Sequence, residues 1–107
     1  MTDKRAQERV VIVNDLGLHV RAASLLAKKA NRFVANIWIT RESDHSHSNN
    51  SALSAEASAK SVLNVLSLAA CKGDVLLITA EGTDAQEAVL ELATLIAAGF
   101  HLHESSE

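Results

Sequence analysis

The sequence predicts a two-layer sandwich in which helices cover a β-sheet, with its elements in the order β-α-β-β-α-β-α. Two observations lead to this fold class. Segments with the two-residue period of strands alternate with segments that have the apolar spacing of helices. The chain has 107 residues, 48% of them hydrophobic and 21% charged, which is typical of one globular domain. We therefore expect residues 1–107 to form a single domain, folded from about residue 9 to about residue 100.

The first half of the chain predicts a strand, a helix and a second strand. Arg9–Asn14 is short and rich in β-branched residues, and it ends at an Asn-Asp turn signal. From Val20 onward, alanines and leucines recur at helical spacing with cations between them, which indicates a helix that buries one stripe. Phe33–Arg41 then alternates in the manner of a strand.

The middle of the chain is less regular. Residues 42–55 are rich in Ser, His and Asn and predict a long loop. Ala55–Lys60 has only small side chains to pack, so we expect a weak third strand at a sheet edge. Ser61–Leu68 has the composition of a strand, but Ser61 is a good N-cap and the apolar residues that follow favour a helix.

The last third predicts a strand and a long helix. Val75–Ala80 is continuously apolar, as in a central strand. Thr83 and Asp84 are candidate caps, with Gln and Glu placed as their capping-box partners. Gly99 stands where a left-handed residue ends a helix, and we expect the chain to fray beyond Phe100.

Composition limits the classes of function. The formal charge of −3 disfavours a general nucleic-acid binder, because such proteins usually carry a basic excess. A lone cysteine, Cys71, cannot form an internal disulfide or a cysteine-based zinc site, and we expect it to be a buried or half-buried small hydrophobe. The apolar run Val10–Val13 is too short for a signal peptide or a membrane span, so we expect a cytoplasmic protein.

One histidine stands at a predicted junction of strand, loop and helix. The free amides of Val20, Arg21 and Ala22 would point toward the imidazole of His19, and a helix start of this kind binds phosphate. Arg21 adds a guanidinium suited to phosphate oxygens, and a neutral imidazole is a nucleophile. The spacing indicates a phosphohistidine site. In the alternative interpretation, His19 merely ends a loop and Arg21 is a solvated charge.

Three segments resemble the histidine-containing phosphocarrier family HPr. Gly17–Ala23 (GLHVRAA) resembles the family's active-site segment G-[LI]-H-A-R-P-A. Lys60–Leu68 (KSVLNVLSL) is similar to K-S-[IV]-[ML]-G-[VL]-[ML]-[ST]-L. Lys72–Asp74, followed after a strand by Glu81–Ala85, resembles the family's approach to its last helix. The resemblance runs from about Val10 to Ala98.

This resemblance implies a fold, a function and partners. The fold is α+β, an open-faced sandwich of four antiparallel strands with three helices on one face. His19 would accept a phosphoryl group from enzyme I through Nδ1 and donate it to an enzyme IIA domain, with Arg21 balancing the charge. No cofactor or metal is implied, and a carrier that visits two partners is expected to be a monomer.

The chain departs from the family pattern at two positions of the first motif and in the length of one loop. Ala22 replaces a proline that preorganises the first helical turn, and it restores an N–H that can face phosphate. Val20 replaces a usual alanine and adds bulk beside the histidine. The loop at residues 42–55 is longer than usual, which costs little stability on a surface.

The second segment implies a regulatory site and a docking patch. Ser61 corresponds to the serine that an HPr kinase phosphorylates in some bacteria, although Asn64 replaces a common glycine there, and Ser61 is equally a plain helix cap. Val62, Leu63 and Leu66 would form an apolar patch near His19 that docks both partners, with Leu63 the most exposed. Ordinary core packing is the alternative for Leu66.

Two other functions stay open at this point. A regulatory HPr-like module would use its phosphorylation state to control a kinase or a transcription regulator. The H-x-H pairs at His45 and His47 and at His101 and His103 could instead hold Zn²⁺, Ni²⁺ or Cu²⁺, although incidental surface histidines are the simpler interpretation.

Overall fold

The computed structural model describes residues 4–42 and 56–102. The sheet consists of β1 (Arg5–Val11), β2 (Asn36–Glu42), β3 (Glu56–Ser58) and β4 (Val75–Glu81). The helices are α1 (Val20–Ala30), α2 (Val62–Ser67) and α3 (Ala85–Ala97), and a 3₁₀ turn at Gly99–His101 follows α3. None of the helices in these two ranges is long and apolar enough to cross a bilayer.

The four strands form one antiparallel sheet, as the resemblance predicted, and the structure gives their order as β1-β4-β2-β3. The apolar strand β4 lies between β1 and β2, which confirms the prediction of a central strand. The short strand β3 pairs only with β2 and stands at an edge, also as predicted. Strand β1 forms the other edge.

Strand β1 begins four residues before the predicted Arg9 and ends at Val11 rather than at Asn14. Its polar residues are the reason, because they alternate onto the open face of the sheet. There Arg5 pairs with Glu81 at 2.6 Å, and Arg9 reaches Glu42 of β2 at 2.8 Å and 3.1 Å. A run of β-branched residues therefore marks only the apolar end of this strand.

The helices cover the other face of the sheet and enclose the core. Helix α1 buries an alanine-rich stripe that includes Leu26, and α3 buries a stripe centred on Leu92. Helix α2 settles the ambiguity at residues 61–68 in favour of the helix, because Ser61 Oγ accepts a hydrogen bond from the amide of Asn64 at 3.2 Å. The fold class and the element order are therefore those predicted.

The start of α3 differs from the predicted capping box. Asp84 occupies the N-cap position but makes no side-chain cap bond. Its carboxylate accepts hydrogen bonds from the amides of Val34 at 2.9 Å and Ala35 at 2.8 Å. These bonds tie the segment before β2 to the start of α3, so β2 begins at Asn36 rather than at the predicted Phe33.

The end of α3 follows the prediction as far as Gly99, which has φ +66°. Phe100 is buried in the core and also has a positive φ of 60°. Leu102 is half-buried against the core, so the described chain stays packed two residues beyond Phe100. Residues 103–107 lie outside the described residues.

Candidate functional site

His19 is the N-cap residue of α1, as its position in the sequence predicted. Its backbone is extended, with φ −78° and ψ −179°, and its half-buried ring lies against the first turn of the helix. Nδ1 accepts a hydrogen bond from the backbone amide of Arg21 at 3.2 Å. An accepting ring nitrogen carries its lone pair, which assigns the proton of the neutral imidazole to Nε2.

The loop before His19 packs against the segment that follows α2. Gly17 has φ +64°, and a Cβ on it would lie 2.5 Å from the carbonyl oxygen of Ala70. Leu18 is buried and donates its amide to that same oxygen at 3.1 Å. His19 then donates its amide to the Gly17 carbonyl at 3.0 Å. The residue that precedes the histidine is thus anchored in the core.

An ion pair joins the same loop to the turn after α2. Lys72 Nζ lies 2.8 Å from Asp15 Oδ1. The hydrogen bond to Asp15, together with the charge of its carboxylate, raises the pKa of Lys72 above its usual value. Both side chains are more than half exposed, so this pair stabilises the fold little.

The three predicted phosphate-binding residues form the first turn of α1. Arg21 and Val20 are exposed, whereas the side chain of Ala22 is fully buried. The amide of Arg21 faces Nδ1, while the amide of Ala23 already donates to the His19 carbonyl at 2.8 Å. No residue of this turn is acidic, so no carboxylate of the helix offsets its positive end.

Helix α2 presents the predicted docking residues beside α1. Leu63 is 76% exposed, while Val62 and Leu66 are half-buried against the core. Val20, which is bulkier than the family's usual alanine, is 62% exposed, and Leu16, which lies in none of the sequence motifs, is 64% exposed. An apolar residue beside a turn signal is the sequence feature that points to Leu16.

Helices α1 and α2 run antiparallel. Asn31, just after α1, donates its side-chain amide to the carbonyl of Lys60, just before α2. At the other end, Leu18 before α1 bonds to Ala70 after α2. Ser61 therefore lies at the opposite end of the helix pair from His19, about 16 Å away along the eleven residues of α1.

Cys71 corrects one prediction. It is exposed rather than buried or half-buried. It stands in a tight turn in which its amide and its carbonyl both bond to Asp74, and this turn holds the side chain at the surface.

The candidate metal ligands fall mostly outside the described residues, since His45, His47 and His103 are not among them. His101 is described and exposed. In residues 4–42 and 56–102 there is no group of three or more His, Cys, Asp or Glu side chains suited to a metal ion.

A family model described as "PTS HPr component phosphorylation site" matches residues 6–98 of the chain. The protein belongs to the HPr family of the phosphotransferase system. The chain is 38% identical over 90 residues to phosphocarrier protein HPr of Vibrio cholerae, covering 84% of this chain and 93% of that protein.

The fold of this chain is similar to that of solved HPr structures. An HPr from Thermoanaerobacter tengcongensis has a TM-score of 0.75 at 32% identity, over 92% of this chain and 98% of that one. Crh of Bacillus subtilis, described as a catabolite repression containing protein, has a TM-score of 0.61 at 30% identity, over 88% and 95% of the two chains. The chain is thus similar both to phosphocarrier proteins and to an HPr-like protein whose description refers to catabolite repression.

Proposed function

We propose that this HPr-family protein is a phosphocarrier that accepts a phosphoryl group on His19 from phospho-enzyme I and passes it to a histidine of an enzyme IIA domain. The observation that carries the proposal is the hydrogen bond from the Arg21 amide to Nδ1 of His19. It holds the nitrogen lone pair at the start of α1, where an incoming phosphoryl group would meet backbone donors.

The chemistry is an exchange between two imidazoles. The Nδ1 lone pair attacks phosphorus, the new N–P bond forms, and the N–P bond of the donor phosphohistidine breaks. The donor imidazole takes back the electron pair of that bond. If its other nitrogen carries a proton, it leaves as neutral imidazole and no further acid or base is required. This transfer requires no cofactor and no metal.

The first turn of α1 is suited to the charge that His19 acquires. On phosphorylation the Arg21 amide turns from Nδ1 to a phosphate oxygen, and the amides of Val20 and Ala22 are the neighbouring donors. A negative group at a helix start is stabilised by about 0.3–1 kcal/mol through the helix dipole. The exposed guanidinium of Arg21 adds a charge-assisted bond. Alanine at position 22 in place of proline leaves these donors in place.

Docking uses exposed apolar residues of α2 and of the segment around His19. Leu63, with the half-buried Val62 and Leu66, presents apolar area on α2, and Leu16 and Val20, close to His19 in the sequence, are exposed apolar residues as well. Exposed apolar area beside a reactive group is typical of an interface core. Enzyme I and enzyme IIA would use this patch in turn, which requires the patch to stay uncovered, so we propose that the protein is a monomer. We propose further that it is cytoplasmic and consists of one carrier domain.

The test is transfer in a purified system. The protein is mixed with enzyme I and phosphoenolpyruvate, and the phosphate bond is characterised before a IIA domain is added. We expect a base-stable, acid-labile phosphate on His19 that then moves to IIA. His19→Ala should abolish labelling while its circular dichroism stays that of the parent, and His101→Ala, which removes an exposed histidine, is the matched control. Labelling that persists in His19→Ala would place the site elsewhere.

A regulatory HPr-like module is the second candidate, favoured by the likeness to Crh and by Ser61. The Ser61 hydroxyl caps α2, where added phosphate would meet the positive end of that helix. That phosphate would stand beside Val62 and Leu63, at the edge of the docking patch rather than at His19. Labelling of His19 without onward transfer, or phosphorylation of Ser61 by an HPr kinase, would support the module.

A further inference from the structure

Asn14 is the one buried polar side chain in residues 4–42 and 56–102, with 7% of its surface exposed. It lies five residues before His19, outside the segment Gly17–Ala23 that resembles the family motif. Removing an amide from water costs free energy unless the amide finds hydrogen-bond partners inside the protein. The partners of Asn14 therefore indicate what its side chain does.

The side chain of Asn14 holds the carbonyl group of Gly17. Nδ2 donates a hydrogen bond to the Gly17 oxygen at 2.9 Å, and the Gly17 amide donates to the Asn14 carbonyl at 3.1 Å. Together these bonds close the turn from Asn14 to Gly17. A carbonyl oxygen can only accept, so the side chain that faces it must supply a donor. An ionised aspartate, which has acceptors alone, cannot make this bond.

The oxygen that Asn14 holds is also the acceptor of the His19 amide. The backbone N–H of His19 donates to the Gly17 carbonyl at 3.0 Å. At the other end of the same peptide unit, the amide of Leu18 donates to the carbonyl of Ala70 at 3.1 Å. The peptide unit that joins Gly17 to Leu18 is therefore fixed at both ends, and Asn14 fixes the end that bonds to the histidine.

This peptide unit follows a residue with unusual backbone freedom. Gly17 has φ +64°, and glycine passes between left-handed and right-handed conformations at little cost. Rotation of the unit would carry the Gly17 oxygen away from the His19 amide. The N-cap geometry, in which the amide of Arg21 meets Nδ1 at 3.2 Å, would then lose its support. The bond to Ala70 restrains the Leu18 end of the unit, so the oxygen end depends on Asn14.

Asn14 itself packs against the turn that follows α3. A Cβ built on Gly99 would lie 3.7 Å from the Cβ of Asn14, which is an ordinary contact distance. In that turn Phe100 and His101 also have positive φ, of 60° and 59°. Left-handed backbone at non-glycine residues persists only where surrounding contacts hold it in place. Contact with this turn restricts the orientations open to the Asn14 side chain.

We propose that Asn14 is a positioning residue for phosphoryl transfer to His19. It acts through the Gly17 carbonyl and not on the phosphoryl group itself. By holding that oxygen against the His19 amide, it keeps the imidazole where the Nδ1 lone pair lies at the start of α1 and can meet the incoming phosphorus. The inference rests on the proposed carrier function. The alternative is that Asn14 stabilises the fold without affecting the nucleophile.

The test variant is Asn14→Asp, which keeps the size of the side chain and loses the donor. Its matched control is Asn31→Asp at the far end of α1, where Nδ2 donates to the carbonyls of Ala27 at 2.8 Å and Lys60 at 3.1 Å. Both variants lose hydrogen bonds from a side-chain amide to backbone oxygens, so both should lose stability in urea denaturation. Only Asn14→Asp loses such a bond beside the proposed nucleophile.

The first readout is the kinetics of His19 phosphorylation over a range of phospho-enzyme I concentrations. A misplaced nucleophile slows the chemical step more than it weakens docking. In Asn14→Asp we therefore expect kcat to fall about tenfold, with KM changed by no more than about twofold. Asn31→Asp should keep the parental kcat and KM, although it is also less stable.

The second readout is nuclear magnetic resonance of the isotope-labelled imidazole at neutral pH, without a partner protein. In the parent, the nitrogen resonances of His19 should be those of a protonated Nε2 and an accepting Nδ1. In Asn14→Asp they should move toward the average of the two tautomers, and the amide resonance of Arg21 should shift. Asn31→Asp should give the parental spectrum at both residues.

Failure of the carrier function and failure of this proposal give different results. If the parent protein is not labelled on His19, the carrier function fails and this proposal fails with it. If the parent is labelled, a parental kcat in Asn14→Asp, or an equal loss of kcat in Asn14→Asp and Asn31→Asp, overturns the proposal alone. Should the buried carboxylate prevent folding, Asn14→Leu removes the donor without burying a charge. It should show the same loss of kcat, and a parental kcat there would overturn the proposal as well.

Discussion

The backbone amide of Leu18 donates a hydrogen bond to the carbonyl of Ala70 at 3.1 Å. Leu18 directly precedes His19, whereas Ala70 follows α2, so the position of the candidate nucleophile depends on a turn about fifty residues further along the chain. Gly17 lies against the same carbonyl. The site is therefore built from two distant segments that fit closely.

Gly17→Ala should disturb this fit. Its left-handed backbone costs an alanine about 1–2 kcal/mol, and the new Cβ would overlap the Ala70 carbonyl, for which overpacking adds about 1–3 kcal/mol. We expect a loss of about 2–5 kcal/mol in the free energy of unfolding, measured by urea denaturation, with slower labelling of His19.

Gly73→Ala is the matched control for Gly17→Ala. Gly73 also has a positive φ, of 93°, but nothing lies within 4 Å of its added Cβ. It should lose only the backbone part, about 1–2 kcal/mol. Equal losses in the two variants would show that the close approach to Ala70 is unimportant.

Ala69→Gly should stabilise the protein. Ala69 has φ +52°, a left-handed conformation that glycine adopts without cost, so we expect a gain of about 1 kcal/mol in the free energy of unfolding. Ala97→Gly, in the ordinary helical backbone of α3, should instead lose up to about 1 kcal/mol. Thermal melts of both variants check the opposite signs, and destabilisation by Ala69→Gly would contradict the strain.

Arg21→Ala should slow phosphorylation of His19 without preventing it. The variant keeps the first-turn amides and loses only the guanidinium, a charge-assisted bond whose removal costs about tenfold in rate. The initial rate of labelling by enzyme I and phosphoenolpyruvate measures this. Arg32→Ala removes an arginine two residues beyond the end of α1, far from His19, and it should label at the parental rate. A parental rate in Arg21→Ala would remove the proposed charge role.

Asp84 should make stability depend on acid pH. The amide of Val34 lowers the pKa of this carboxyl, burial opposes that shift, and the amide of Ala35 with the charge of Lys60 adds to the lowering. Because the pKa is lower when folded, the ionised carboxylate stabilises the fold above the ordinary Asp pKa of 3.8. That stabilisation is lost as the pH falls through the lower folded-state value.

The variant that isolates this effect is Asp84→Asn. An asparagine side chain has one acceptor oxygen where the aspartate uses two, and it does not ionise. The variant should therefore be less stable at pH 7 and should lose less stability on acidification to pH 3. Urea denaturation at the two pH values measures the difference. An unchanged loss between pH 7 and pH 3 in Asp84→Asn would rule out Asp84 as its source.

Local sequence predicted the elements where packing and backbone propensity agree. Helices α1 and α3 appear at their apolar stripes, and Ser61 caps α2. The predicted element bounds and the predicted cap were wrong where a polar side chain bonds to a residue distant in the sequence. Asp84 bonds to Val34 and Ala35 instead of closing a capping box, and β1 extends to Arg5 because its polar residues pair across the open face of the sheet.

The sequence by itself determined the order of the elements, the helix start at His19 and the kind of chemistry an imidazole can do there, because these depend on residues within one turn of each other. Tertiary structure decided which ring nitrogen of His19 faces the amide of Arg21. It also decided that the carbonyl of Ala70 bonds to the loop before His19 and that Ser61 lies a helix length from His19. It also placed Cys71 at the surface. Such features depend on how distant segments meet in space, and no local pattern of residue types encodes that.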